Sequence, residues 1–458
     1  MEENEMEKLV KSPYLFMVKS EKTDLVMVYH ILFGNPKILN PEGLRFLNLF
    51  ETERDSDEIE KLTEGDADSL VKEFSEINFL TPPGLDERKF LEERRQSYLA
   101  EVKKKKTIEH ISLSVSNVCN FGCRHCMFFQ RGKKSLNQGK IMNWETAKRC
   151  VDTYAGLMKE IGTTKGKIHF GNAEPLINWR VIKQTLEYCK SLSGFKFEYA
   201  INTNLSLLDK EMAITLKNFK IRIAASLDGL EKANDLIRTI KNGKGTFRTI
   251  IGKIDLLEEI DYPLDGISIT VTAKNFSYVD TDIIDFARQR KMKSIAFDYD
   301  LINATEISCE EKVEKIMRLK SYADKLNIYF DGTWGTPYRR LLSRSLLKDF
   351  YSFCSAVEGR GLTFNPDGSI KACDYSKNKI GEIKHLNRIF TNGGSLLKLV
   401  EKRFPGNNSL CKNCMIESFC GGQCHITQTA NKNISSFCDF YKAITLALLR
   451  ESIEDSES

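Results

Sequence analysis

No stretch of this 458-residue chain approaches the roughly 18 consecutive apolar residues that a membrane span requires. The opening segment, MEENEMEKLVKS, is acidic and lacks the basic-then-apolar order of a secretory signal. Together these absences set the expectation of a cytoplasmic protein with no membrane contact. Charge of one sign is scarce as well, with 68 basic against 63 acidic residues and a net charge of +5. That bias is too small for a nucleic-acid or anionic-membrane partner, so none is expected. Lys103 to Lys106 is the one conspicuous basic run, and it reads as a solvated linker or helix end. Internal repeats and low-complexity segments are missing. Cysteine, 13 in all, falls short of the ~8% of a disulfide scaffold. A reducing cytoplasm keeps such thiols free, so any clustering of them points to metal binding or catalysis.

What is present is the balance of a globular protein, 41% apolar and 29% charged, on a chain long enough for roughly two to four domains. In residues 1–84, strand-like PYLFMV and LVMVYHILF precede helical EGLRFLNLF and ADSLVKEFSEINFL. Pro82 and Pro83 then forbid continuation of the second helix. Residues 85–106 are densely charged and read as a helical linker. From Ile108 short apolar strands alternate with longer amphipathic segments, the pattern of βα repeats on a parallel sheet. The strands expected are ISLSV (111–115), KIHFG (167–171), KFEYAI (196–201), IRIAASL (221–227), GISITV (266–271) and SIAFDY (294–299). Six such units over 107–325 predict an α/β fold, a partial (β/α)6 TIM-like barrel. Near Leu326 the pattern dissolves into a loop-rich, cysteine-rich tail, 326–458, that needs a metal to close its fold.

The first expected strand runs into SNVCNFGCRHCMFF, which sets Cys119, Cys123 and Cys126 on one loop in C-x3-C-x2-C spacing. Loops at strand C-termini carry the chemistry of barrel folds. Three thiolates hold three irons of a cubane and leave the fourth without a protein ligand. The alternative is structural zinc, which wants four ligands, and His125 stands too close to its neighbours to complete a tetrahedron comfortably. With this spacing, residues 107–325 resemble the radical S-adenosylmethionine (SAM) superfamily. The resemblance implies that SAM chelates the open iron and is cleaved by one-electron transfer to methionine and a 5′-deoxyadenosyl radical.

Further segments carry the same resemblance. GNAEP, Gly171 to Pro175, is similar to the family's GGEP loop, which receives the SAM amino group; Asn172 and Ala173 replace its two glycines and Glu174 is its charged member. INTNLSLL, with Asn204, resembles the strand-four TNG segment. SLDG, then Arg238 and GKGTF, resemble the SAM carboxylate and ribose region, which makes Ser226 and Arg238 SAM contacts by implication. Arginine suits a carboxylate because its planar fork donates two hydrogen bonds. His125, where the family often has an aromatic, is expected to flank the adenine.

In the tail, Cys354, Gly368 and Cys373 (C-x13-G-x4-C) precede Cys411, Cys414, Cys420 and Cys424 (C-x2-C-x5-C-x3-C) and then Cys438. A zinc ribbon is the alternative, although seven cysteines do not divide into fours. The order resembles the SPASM extension of radical SAM maturases, which binds two auxiliary 4Fe–4S clusters. By that resemblance Cys411, Cys414, Cys420 and Cys438 ligate the outer cluster, and Cys354, Cys373 and Cys424 hold the inner one with one iron open to a substrate thiolate. The total is three 4Fe–4S clusters. Cys150, Cys189 and Cys309 stand alone and read as ordinary packed residues.

Residues 1–84 resemble, in topology, the winged-helix-like recognition element of maturases that act on ribosomally made peptides. Such a unit captures a leader by adding it as a strand to a sheet edge; the alternative is a cap on the barrel. The expected function is therefore radical modification of a precursor peptide, with flavodoxin or ferredoxin as reductant and a cysteine thioether crosslink as outcome. A carbon–carbon crosslink, epimerisation, formylglycine formation in a sulfatase, and a non-catalytic iron–sulfur or zinc scaffold stay open.

Overall fold

A computed structural model describes residues 8–62, 67–127, 139–300, 306–343, 352–430 and 435–456. Most of the acidic opening segment, residues 1–7, lies outside them. The front unit pairs β1 (Val10–Lys11) with β5 (Leu80–Thr81) and builds an antiparallel meander from β2 (Leu15–Lys19), β3 (Val26–His30) and β4 (Gly34–Leu39). Helices α1 (Pro41–Asn48), α2 (Ser56–Glu60) and α3 (Ala67–Glu76) follow. Period-two alternation gives β3 two faces, and both are buried. Val26 and Val28 pack with Phe46, Phe50 and Phe74 of the unit's own core, whereas Met27 and Tyr29 join Phe419, Leu449 and Ile453 from the far end of the chain.

The charged segment forms α4 (Glu87–Lys103), capped by Asp86. Its first residue is buried and satisfied: Ser12 Oγ donates to Glu87 Oε2 at 2.8 Å, and His30 Nε2 lies 2.7 Å from Oε1. The amides of Leu32 and Phe33 both donate to His30 Nδ1 at 3.2 Å, so the ring proton is assigned to Nε2, which donates to Glu87.

The principal sheet has ten strands in the order β12–β11–β10–β9–β8–β7–β6–β13–β14–β15. The parallel part comprises β6 (His110–Leu113), β7 (Lys165–Phe170), β8 (Lys196–Thr203), β9 (Arg222–Ser226), β10 (Gly266–Val271), β11 (Ser294–Tyr299) and β12 (Tyr329–Asp331). Helices α5 (Trp144–Ile161), α6 (Trp179–Ser191), α7 (Lys210–Asn218), α8 (Glu231–Ile237), α9 (Phe247–Glu259), α10 (Asp282–Gln289) and α11 (Cys309–Lys325) connect them. This is the mostly parallel α/β sheet of a partial TIM-like barrel. The expected count of six strands needs correction, because β12 is a seventh and lies beyond residue 325. Three residues, YFD, are too few to show alternation in sequence, yet Ala296 pairs with Asp331 in register.

The tail is not a separate layer. Helix α12 (Thr336–Leu342) and the short α13 (Ser355–Glu358) lead to β13 (Gly361–Phe364), which runs parallel to β6. Strands β14 (Ser369–Lys371) and β15 (Gly381–Glu382) complete a hairpin on that edge. Helices α14 (Ser395–Arg403), α15 (Glu417–Cys420), α16 (His425–Ala430) and α17 (Ser435–Asp455) follow. No described helix is long and apolar enough to cross a membrane.

Arg88 on α4 clasps the tail through two hydrogen bonds of 3.0 Å, Nη1 to Glu417 Oε1 and Nη2 to Oε2. Glu417 is 1% exposed. Removing Arg88 leaves the buried Glu417 without its counter-charge, with the Asn413 amide (2.8 Å) still donating to it, so R88M is expected to cost about 3 kcal/mol in urea denaturation, and R88M/E417L to recover most of it.

Candidate active site

Parallel strands deliver their C-termini to one rim, and the loop bearing Cys119, Cys123 and Cys126 leaves β6 there. It is held from behind: the Gly122 amide donates to the Thr239 carbonyl at 2.7 Å and the Arg124 amide to the Ile237 carbonyl at 2.8 Å. Donors face the sulfurs. The Phe121 amide stands 3.4 Å from Cys119 Sγ, Asn204 Nδ2 3.9 Å from the same atom, and Arg238 Nη1 3.8 Å from Cys123 Sγ. N–H groups aimed at sulfur favour the thiolate, the form that ligates iron. Burial pushes the Cys119 thiol up to about 12 and the Cys123 thiol up to about 11, against the Phe121 amide at the first and Arg238 at the second. Among the described residues no three His, Cys, Asp or Glu side chains converge on one ion. A cubane does not ask for that, because each thiolate binds its own iron.

Glu174 is fully buried and both its oxygens are used. Oε1 accepts from the Leu176 amide (3.0 Å) and Thr203 Oγ1 (2.7 Å), Oε2 from the Asn204 amide (2.8 Å), and the Glu174 amide donates to the Val118 carbonyl (3.1 Å). Burial raises its carboxyl, and those three donors oppose the rise. Asn172 and Ala173 keep the left-handed backbone that glycines would favour, with φ of 70° and 33°. Asn172 Nδ2 donates to Ser114 Oγ (3.0 Å) and Asn117 Oδ1 (2.8 Å), which steadies the loop. Ser226 ends β9 and is half-buried.

Arg238 is placed differently from a free carboxylate receptor. Its Nε and Nη2 lie 2.9 and 2.8 Å from Asp228 Oδ2, and Nη1 faces Cys123. Asp228 is buried, accepts from the Thr270 amide at 2.9 Å, and stands 3.7 Å from His125 Nε2. Burial lowers the His125 pKa, with Asp228 opposing. Sequence reasoning quoted SLDG but passed over this aspartate, whose buried partner could not be read from its neighbours.

The tail brings its seven cysteines into two neighbourhoods. Cys354 and Cys424 lie in each other's field and both act on Cys373. Cys411, Cys414 and Cys438 act on Cys420. Arg403, 4% exposed, lies between them, in the field of Cys354 and Cys424 on one side and Cys411 and Cys420 on the other. A buried guanidinium among thiols fits anionic clusters. Gln423 adds donors, its amide to Cys420 Sγ (3.1 Å) and Nε2 to Cys438 Sγ (3.4 Å). Gly421 is left-handed (φ 54°), and a Cβ there would stand 2.7 Å from Ser352 Cα, beside Cys354. Of the lone cysteines, Cys150 and Cys189 are buried in the main core and Cys309 is half-buried.

Three further residues were not legible as site residues. Asp374, next to Cys373, accepts from Ser112 Oγ (3.0 Å) and Ser114 Oγ (3.2 Å), so the tail reaches the strand that carries the first cysteine loop. Tyr375, the next residue, is half exposed. Its phenol is raised by burial and then by Asp374, Cys373, Cys126 and Asp298. Asp298 on β11 accepts from the Thr333 amide and Oγ1, both at 2.7 Å.

Residues 113–287 match the family model described as the Radical SAM superfamily. Over that segment the chain is similar to the radical SAM superfamily, whose members use a 4Fe–4S cluster and SAM. Over nearly its whole length it is similar to the radical SAM cyclopropyl synthase TigE of Paramaledivibacter caminithermalis, 23% identical over 459 residues that cover 96% of each chain. Among solved structures its fold is like that of native anSMEcpe with bound AdoMet, with TM-score 0.58, 18% identity, and coverage of 74% of this chain and 99% of that one. It is also like Streptococcus suis SuiB bound to the precursor peptide SuiA, with TM-score 0.52, 16% identity, and coverage of 93% and 97%.

Two outcomes follow from the geometry. A non-glycine residue held left-handed is strained by roughly 1 kcal/mol, so Ala173→Gly is expected to raise unfolding stability by up to about that amount in urea titration. Asp298 is pushed up to about 6 by burial, from an ordinary 3.8. The folded chain therefore keeps a proton that the unfolded chain releases. This group's contribution to stability is full below about pH 4 and is lost as pH rises through about 6. Asp298→Asn should be more stable than the parent above about pH 7 and equal to it below about pH 4, read by paired urea titrations.

Proposed function

We propose that this chain is a radical SAM peptide maturase with three 4Fe–4S clusters. The observation that carries the reading is the separation of ten cysteines into three neighbourhoods, one at the barrel rim and two in the tail. Cys119, Cys123 and Cys126 hold the SAM-binding cluster. Cys354, Cys373 and Cys424 hold the inner auxiliary one, and Cys411, Cys414, Cys420 and Cys438 the outer one. When bound, the first cluster supplies the electron that cleaves SAM to the hydrogen-abstracting radical, and the inner one accepts the electron left over as the product bond forms.

The chain's own residues do the rest. Asn172, Ala173, Asn204 and Ser226 line the rim where SAM sits, with His125 beside the adenine. Arg238, committed to Asp228, offsets charge at Cys123. Glu174 fixes the rim. Residues 1–84 capture a leader by strand addition to an outer edge of the β2–β3–β4 sheet, with α4 as the linker and 107–325 and 326–458 as the barrel and SPASM units. Flavodoxin or ferredoxin supplies electrons, and the compartment is cytoplasmic.

The outcome proposed is a thioether. A hydrogen atom leaves a peptide carbon for the 5′-deoxyadenosyl radical, a cysteine thiol of the peptide loses its proton, and the carbon–sulfur bond forms with one electron passed on. The similarity to a cyclopropyl synthase over 96% of both chains favours a second reading, carbon–carbon bond formation within the peptide. Iodoacetamide separates them, since a thioether consumes the free thiol and a carbon–carbon bond leaves it alkylatable.

The central assignment is tested by replacing Cys119, Cys123 and Cys126 together with Ala. SAM cleavage should be abolished while about eight of about twelve irons remain. 5′-Deoxyadenosine from the triple variant would sink the reading.

A further inference from the structure

The pleat of the barrel strands points apolar residues at the helices and polar ones at the lumen, and near the N-termini of β7, β8 and β9 the polar ones are mostly cations. A Cβ added at Gly166 would stand 2.7 Å from Met158 Sδ and 2.9 Å from the Tyr154 ring, both on α5, so Gly166 faces the helices and Lys165 and Lys167 face inward. On β8 the Phe197 ring lies 6.2 Å from Tyr154, again on the helix side, which turns Lys196 and Glu198 to the lumen. On β9 Ile223 belongs to the core and the exposed Arg222 faces inward. His110 on β6 is pushed down chiefly by burial, and Lys167 adds to that, so Lys167 stands at the same mouth.

Lys165 and Lys196 are direct cross-strand partners. Like charges in that position repel and weaken a sheet. Among the described residues Lys165, Lys167, Lys196 and Arg222 form no ion pair within 4 Å. Glu198, opposite Lys167 in register, is the one carboxylate on the inward faces of β7, β8 and β9.

We propose that this mouth binds an acidic segment of the peptide substrate, a proposal that rests on the peptide reading above. The lysine pair keeps its repulsion because a carboxylate from the substrate relieves it. The chemistry at the far rim fixes the spacing. The six residues of β7 span about 20 Å, and an extended peptide advances about 3.3 Å per residue. An acidic side chain at the lysines therefore lies about five or six residues from the carbon that reacts beside the cysteine loop.

The probe is a fluorescein-labelled peptide of alternating Glu and Gly, compared with its Gln counterpart by anisotropy on the full chain at low and high salt. The Glu peptide should bind in a salt-sensitive way and the Gln peptide much more weakly. K165A/K196A should bind the Glu peptide about tenfold more weakly and melt no lower than the parent, since the removed charges repel each other. If the double variant fails to fold, Lys167→Gln should show a smaller loss in the same direction. Equal binding of the two peptides, parental affinity in the variants, or stronger binding of a single-stranded oligonucleotide of equal charge would overturn the proposal. SAM cleavage by the unaltered chain is read in parallel. Its absence would sink the radical reading while leaving the binding result to stand or fall by itself.

Discussion

The rim of the barrel depends on one buried carboxylate. Glu174 cannot be left without donors, because an unsatisfied charge in that position would unfold its surroundings. Its oxygens draw in the end of β8 and the first turn after the strand, and its amide holds the cysteine loop through Val118. Three chain segments far apart in sequence thus meet at one residue. The left-handed Asn172 and Ala173 follow from the same demand, since the backbone has to turn sharply to bring Glu174 beneath the loop. Asp228 repeats the device on the opposite side, binding Arg238 and through it facing Cys123.

The same logic links the tail to the barrel. Strand β13 adds to β6 by main-chain hydrogen bonds, and Asp374 then reaches Ser112 and Ser114 on the lumen face. Cys373 is therefore placed by the strand that also launches Cys119. The residue next to one cysteine neighbourhood is thus hydrogen-bonded to the strand from which the loop carrying another departs.

Much of this was legible because periodicity is a strong signal. KIHFG and GISITV alternate in a way that only a strand with one polar and one apolar face explains, and the cysteine spacings announce themselves. What stayed hidden falls into two kinds. Tyr329–Asp331 and Gly361–Phe364 are too short to alternate measurably, and their strand character comes from the partners they meet. Asp228, Asp374 and Tyr375 matter because of what folding sets beside them, over separations that no local pattern encodes. Arg238, singled out by resemblance as a SAM contact, gains from the fold a buried partner in Asp228 that its sequence setting did not announce.

Strand β3 is buried on both faces, and one of those faces is closed by Phe419, Leu449 and Ile453. On the ribosome this has an order built in. Leu91 and Leu341 of the same cluster follow β3 earlier, but Met27 and Tyr29 lack the rest of their cover until Phe419, Leu449 and Ile453 have been synthesised, hundreds of residues later. Until then part of that apolar face is without its partners. Because Phe419 adjoins Cys420, the segment that finally covers that face also delivers cysteines of the tail. Closing that face of the front unit and placing Cys420 are thus late and coupled events of the same chain.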